Sequence, residues 1–271
     1  MKRFNRLYSE AVWLSFISFL VIIYGFSCRA GATEPAGINA EDVIENVNKT
    51  YNRVFSASGI ITRFLESGND DAKFFSGSFA IQKPDRKIVR FEKDTPQYTG
   101  YDGKTYRIFF PEDNKGYYTD TRDLSDLEKY VLGPGPIFGN ILKLMERGFT
   151  FRITDFYEGN IIILATPVNP QQYNYILIGI APETWTIRAV EYFDKQNVLV
   201  NQTLFPAYIN VGDSLFIPST TTTTTVMSKI VTVETTQLTR VQLNIPLDNE
   251  EFIIPSNNAT EWNAQPFRKK P

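Results

Sequence analysis

Residues 74–110 read FFSGSFAIQKPDRKIVRFEKDTPQYTGYDGKTYRIFF, and the period of their apolar residues settles the class of fold. Phe75, Gly77, Phe79 and Ile81 alternate with Phe74, Ser76, Ser78, Ala80 and Gln82, which is the period of two expected of a strand. Gly77 has no side chain to pack, so its place inside a strand predicts a bend, a bulge or a close backbone approach. Lys83-Pro84-Asp85 ends the run. Ile88 then points one way and Val89 and Phe91 the other. Asp102-Gly103 suits the positive φ values of a type I′ hairpin turn. Tyr106, Ile108 and Phe110 continue on one face, Glu112 to Gly116 turns the chain again, and Tyr117 and Tyr118 begin the return. Hairpins follow one another in sequence, as in an antiparallel sheet.

The same signals run along most of the chain. In Ser58 to Glu66, Ile60, Thr62 and Phe64 alternate with Ile61, Arg63 and Leu65. Later strands are predicted at Phe149–Phe156, Asn160–Thr166, Tyr173–Ile180, Trp185–Phe193, Val198–Ile209 and Val231–Asn244, and the six threonines Thr220–Thr225 read as a β-branched strand. Helical spacing is rarer. Asn39 is a plausible N-cap for a helix over 40–54, whose Val43, Val47, Tyr51 and Val54 form one apolar stripe with Ile44 beside them. Ser125-Asp126-Leu127-Glu128 resembles a capping box opening a short helix to about Leu132, which Gly133-Pro134-Gly135-Pro136 stops. Ile137 to Arg147 reads as a further helix with Ile137, Ile141, Leu144 and Met145 apolar. These two helices either plug the sheet or form a movable cover. Asn244 to Pro255 closes the domain, and the polar residues 256–271 are expected to be disordered.

Composition narrows the chemistry. The chain has 271 residues, with 21 Phe, 14 Tyr and no histidine. Without histidine there is no Ser-His-Asp or Cys-His machinery and no His-ligated zinc. The acids fall mostly in turns and beside bases, as on a solvated surface, so an enzyme is not expected and nothing calls for a cofactor or metal. A formal charge of −2 gives no polyanion-binding surface, so nucleic acid is not an expected partner.

Residues 1–32 read as a leader. Lys2, Arg3 and Arg6 precede an apolar run from Ala11 to Phe26, and Ala30-Gly31-Ala32 offers a cleavage site before Thr33. The rivals are an uncleaved membrane anchor and lipidation of Cys28. Cleavage removes Lys2, Arg3, Arg6, Arg29 and Glu10 and leaves a net charge of about −5. It also removes Cys28, the sole cysteine. Export without disulfides fits a bacterial envelope.

Gly77 to Pro84, Val89-Arg90-Phe91, Pro96 and Tyr101 to Tyr106 resemble, in order and spacing, the N-terminal half of the periplasmic outer-membrane lipoprotein carriers, the LolA family. The closing Asn244-Ile245-Pro246 and Phe252-Ile253-Ile254-Pro255 are similar to that family's terminal region, so the resemblance spans residues 40–255. It implies an α+β but mainly β domain over 33–255: an unclosed, curled antiparallel β-barrel of about 10–12 strands under an α-helical lid. It implies a monomer that receives the acyl chains of lipoproteins from an inner-membrane ABC-type transporter and delivers them to an outer-membrane acceptor. The acyl cavity would be lined by Phe64, Phe79, Ile81, Phe91, Tyr106, Ile108, Trp185 and Ile187, with Ile141, Leu144 and Met145 in the lid. Where the family carries an Arg that bonds to the lid region, this chain has Lys83, which keeps the charge and loses the planar fork. Related domains act as envelope-stress sensors, and Cys28 acylation would instead make an anchored acceptor.

Overall fold

The computed structural model describes residues 37–271 except 69, 94–95, 123, 125–128, 130–147, 170–172, 214, 228–229, 257–259 and 265–271. The leader and Cys28 lie outside the described residues, and so do the predicted helix over 137–147 and nearly all of the one before it.

One helix, α1 (Ala40–Asn52), begins where the sequence places it. Asn39 Oδ1 accepts from the Asp42 amide at 2.8 Å, which satisfies one of the orphan donors of the first turn. Glu41 and Asp42 in that turn and Lys49 in the last complement the helix dipole. Val43 and Val47 are fully buried and Ile44 and Tyr51 nearly so, as the stripe requires.

The strands are β1 (Ser56–Ser67), β2 (Lys73–Gln82), β3 (Arg86–Phe91), β4 (Gln97–Asp102), β5 (Thr105–Phe110), β6 (Lys115–Asp120), β7 (Phe149–Tyr157), β8 (Asn160–Pro167), β9 (Tyr175–Ala181), β10 (Thr186–Phe193), β11 (Leu199–Asn210), β12 (Phe216–Met227), β13 (Ile230–Leu243) and β14 (Glu261–Ala264). They form one 14-stranded sheet in the order β14-β6-β5-β4-β3-β2-β1-β13-β12-β11-β10-β9-β8-β7. The fourteen strands among the described residues exceed the expected 10–12, and the tail, expected to be disordered, supplies one of them. Each pair is antiparallel except β14 with β6. The sheet has two ends, β14 and β7, so it is unclosed.

Three further departures from expectation are local. Of Asp102, Gly103 and Lys104, Gly103 alone has a positive φ (85°), so the β4–β5 turn is not type I′, which needs two such residues. The turn is held instead by Asp102 Oδ1, which accepts from the amides of Lys104 (3.0 Å) and Thr105 (2.8 Å). Trp185 has φ 52° and ends a turn, one residue before β10 starts. The tail is not without structure throughout: Trp262 of β14 lies over Gly116, where a Cβ would stand 2.4 Å from its ring, and stacks on Phe109 at 6.1 Å.

The core has three parts. α1 covers Ile153, Ile161, Ile163, Ile176, Ile178, Ile180, Ile187 and Val190 of β7–β10. Phe79, Ile81, Val89, Phe91, Ile61 and Leu238 form a second cluster with Leu215 and Ile217. On the other side of the sheet Ala80, Ile88 and Phe109 are covered by Leu247, Phe252, Ile254 and Trp262. Arg86, stacked on Phe252 at 4.3 Å and bonded to Asn249 Oδ1 at 2.7 Å, fastens that covering segment.

Candidate functional site

Residues paired directly across neighbouring strands project to the same face. Ala57 pairs with Ile81, Gly59 with Phe79 and Ile61 with Gly77, and Phe79 and Gly77 pair in turn with Val89 and Phe91. Lys87 pairs with Tyr101, and Tyr101 with Tyr106, beside Thr99 with Ile108. In the other direction one row runs from Leu65 through Glu234, Thr223, Thr203, Val190, Ile178 and Ile163 to Ile153. A single face therefore carries Phe79, Ile81, Phe91, Tyr106, Ile108 and Ile187, and α1 lies on it.

Phe64 does not belong to that face. It pairs with Phe74 and Thr235, on the side opposite Phe79. Alternation separates two sets of β1 residues without saying which set meets Phe79; the register does, by placing Gly59 there. Trp185, outside the strand, packs against the cluster beneath α1. Phe79, Ile81, Phe91 and Ile187 are packed core, at 3% exposure or less, whereas Tyr106 and Ile108 keep open surface. Ile141, Leu144 and Met145 lie outside the described residues. A separate depression of about 460 Å³, lined by Glu158, Asn160, Glu183, Arg188, Leu204 and Phe205, contains none of the predicted lining residues.

Gly77 is what lets β2 and β3 fold so closely. A Cβ on it would stand 1.7 Å from the Arg90 carbonyl oxygen, so only glycine fits. The resulting curl is visible in the electrostatics. Tyr106 on β5 feels the charges of Arg63 on β1 and Glu234 on β13. In a flat sheet β5 and β1 would be roughly 19 Å apart.

Lys83 latches the helix, whatever else it holds. Its Nζ donates to the Tyr51 carbonyl at 2.5 Å, at the C-terminal end of α1, where a cation also meets the negative end of the dipole. Its amide donates to Phe55 O at 2.8 Å. Deeper in, the irregularity between Ile187 and Ala189 frees the Ile187 peptide groups. The Ile187 amide donates to Tyr51 Oη at 3.4 Å, and Tyr208 Oη donates to the Ile187 carbonyl. Burial pushes the Tyr51 hydroxyl up to about 12, so it stays protonated.

Alternation along β1–β3 hides one feature of the inner face: it is not apolar throughout. Thr221, Thr223 and Thr225 of β12 fall on it, together with Thr203 and Asn201 of β11 and Thr232, Glu234 and Thr236 of β13. These are half-buried. Thr203 and Thr223 hydroxyls meet at 3.2 Å and Asn201 donates to Thr225 at 2.8 Å. Arg63, opposite Thr236, puts its Nε 3.2 Å from Glu234 Oε1 and its guanidinium over the Phe91 ring at 5.1 Å. Lys87 completes the group. Its side chain is half-buried, and burial, then repulsion from Arg63, lowers its pKa to about 7 against the pull of Glu234.

This geometry has counterparts among solved structures. A DUF1329 family protein from Desulfovibrio piger superposes with a TM-score of 0.57 at 11% identity, over 79% of this chain and 96% of that one. A domain from Vibrio parahaemolyticus described as an outer membrane lipoprotein-sorting protein gives 0.56 at 12% identity, over 79% and 97%. A LolA superfamily protein from Nitrosomonas europaea gives 0.54 at 11% identity, over 80% and 99%. The fold is LolA-like. No family model and no curated protein matches the sequence. At these identities the LolA-like likeness concerns the path of the chain, and the residues on its inner face have to be read for themselves.

Proposed function

We propose that this protein is a non-enzymatic periplasmic carrier, exported by a cleaved leader, that shelters the acyl chains of lipoproteins on their way to the outer membrane. The observation that carries the reading is the inner face: a curled, unclosed LolA-like sheet with a packed aromatic and aliphatic core at Phe79, Ile81, Val89 and Phe91, apolar surface left open beside it at Tyr106 and Ile108, and a helix lying on the same face. An acyl chain in water exposes CH₂ groups at about 0.8 kcal/mol each, so it crosses an aqueous compartment only inside an apolar enclosure. A sheet with two free ends can open and close around such a chain without breaking its hydrogen-bonded ladder, which a closed barrel cannot do. In this reading an inner-membrane ABC-type transporter loads the protein and an outer-membrane acceptor unloads it.

Purification from the envelope followed by intact-mass and lipid mass spectrometry tests the proposal. The expected result is a polypeptide beginning at Thr33 that releases acylated ligand or exchanges it for a synthetic diacylated lipopeptide. A protein that neither retains nor takes up an acylated molecule overturns the carrier reading. Diacylglycerol on Cys28 would assign it to the receiving membrane instead.

A further inference from the structure

Strands β10 and β11 part at one end. They pair from Phe193 and Leu199 as far as Ala189 and Leu204, and no further. On β10 the register slips between Ile187 and Ala189, which makes Arg188 the extra residue. On β11 it slips between Leu204 and Ala207, beside Pro206, which has no N–H to give a ladder. The Tyr51 and Tyr208 hydroxyls take over the Ile187 amide and carbonyl, so the parting leaves neither of them unpaired. Arg188 on one strand and Leu204, Phe205 and Pro206 on the other line the depression of about 460 Å³. Its size falls within the range of small-molecule sites, and bulges are common beside such sites.

The polar groups of this recess are set in place and unspent. The Arg188 guanidinium lies 4.3 Å from the centre of the Tyr208 ring, and Tyr208 is tied to the Ile187 carbonyl. Stacking uses the face of the guanidinium and leaves its N–H edge free. Arg188 makes no hydrogen bond and no ion pair with any described residue. The β7–β8 turn adds Glu158 to the lining, and the β9–β10 turn adds Glu183. Glu158 (φ 49°) and Gly159 (φ 78°) are the two central residues of a type I′ hairpin closed by Tyr157 and Asn160. Asn160 Nδ2 donates to the Tyr157 and Glu158 carbonyls at 3.4 and 3.3 Å, which leaves its Oδ1 as an acceptor. Neither glutamate forms an ion pair with a described residue. Opposite charges thus line one recess without reaching each other.

We propose that this recess binds a small zwitterion of amino-acid or dipeptide size. The Arg188 fork grips its carboxylate, Glu158, Glu183 and Asn160 Oδ1 hold its ammonium, and its side chain lies against Leu204, Phe205 and Pro206. A lone anion would meet two glutamates and a lone cation the arginine, so a ligand carrying both charges fits best. This site is separate from the acyl-binding face and does not rest on the carrier reading.

Full-length protein is titrated calorimetrically with leucine, with leucyl-leucine, and with the N-acetylated and C-amidated forms of that dipeptide. Leucyl-leucine is expected to bind, and capping either end to weaken it about tenfold, the scale of one hydrogen bond to a charged group. Leucine binding as tightly assigns the site to an amino acid, and weaker leucine binding assigns it to a dipeptide; both support it. Arg188→Gln is expected to abolish the penalty of amidation, and Arg188→Lys to restore part of it, because lysine keeps the charge without the fork. Arg188→Gln also loses the stacking on Tyr208, so a second variant stands beside it. The double change Glu158→Gln and Glu183→Gln, at exposed turn positions, is expected to abolish the penalty of acetylation and leave that of amidation. No binding of either ligand, or binding that neither the caps nor the substitutions alter, overturns the zwitterion site.

Discussion

Lys87 shows how one side chain can tie stability to pH. Its folded pKa of about 7 lies below the ordinary 10.5, so between these values the unfolded chain holds the proton that the folded one has released. Stability therefore rises with pH from about 7 towards 10, and below 7 the whole cost of enclosing the charge is present. Arg63 and Glu234 lie on the same face. Tyr101 and Tyr106 lie on it too, and burial raises both, so they remain neutral. Urea midpoints between pH 6.5 and 9.5 are expected to climb for the natural protein and to stay level for Lys87→Met; a climb in both would place the titration elsewhere. Nothing in the alternation of Arg86 to Phe91 marks Lys87 as enclosed, because period two assigns a face and not the curvature that closes over it. Gly77 is the opposite case. A glycine in the middle of an aromatic strand announced a close backbone approach, and the Arg90 carbonyl is where it occurs.

At the scale of elements, local chemistry and tertiary pairing divide the work. Helix α1 was legible from Asn39, the acidic first turn and the valine spacing because each acts within one or two turns. Replacing Asn39 with Ala is expected to cost about 1 kcal/mol by removing the bond to the Asp42 amide. Thermal unfolding measures it, and an unchanged midpoint would mean that packing alone sets the helix start. The Lys83 contact is different, since it joins residues 32 apart in sequence, and the family resemblance rather than any local pattern singled Lys83 out. The strand positions were legible almost throughout, as the β7–β13 runs show. Their faces were not: Phe64 went to the wrong side because a β1 strand with Ile60, Thr62 and Phe64 on one face and Ile61 and Leu65 on the other carries comparable apolar content on both. The Thr220–Thr225 run likewise reads as a strand in either orientation, and only the pairing with Glu234 and Thr203 reveals that every second hydroxyl lines the inner face.

For the whole molecule the decisive features are the two ends of the sheet and what protects them. β6 would be an edge if the tail did not pair with it, and a polar tail gives little warning of this beyond Trp262, whose ring has nowhere to go in solution. The side-chain-free surface of Gly116 receives it, and Phe109 beneath becomes buried. Truncation after Ser256 removes that cover. It is expected to cost about 2 kcal/mol, the scale of burying one large side chain, and to leave β6 as an open edge able to pair with a second copy. Trp262→Ala should reproduce most of the stability loss but not the self-association, since the backbone pairing of Glu261 to Ala264 survives it. Analytical ultracentrifugation beside thermal melts distinguishes the two effects. Acyl-ligand binding should be unaffected by either change, because Trp262 and Phe109 lie on the face opposite Phe79 and Phe91. A truncated, monomeric protein that lost its ligand would mean that the tail holds the curl itself, and that the outer covering and the inner face are one mechanical unit.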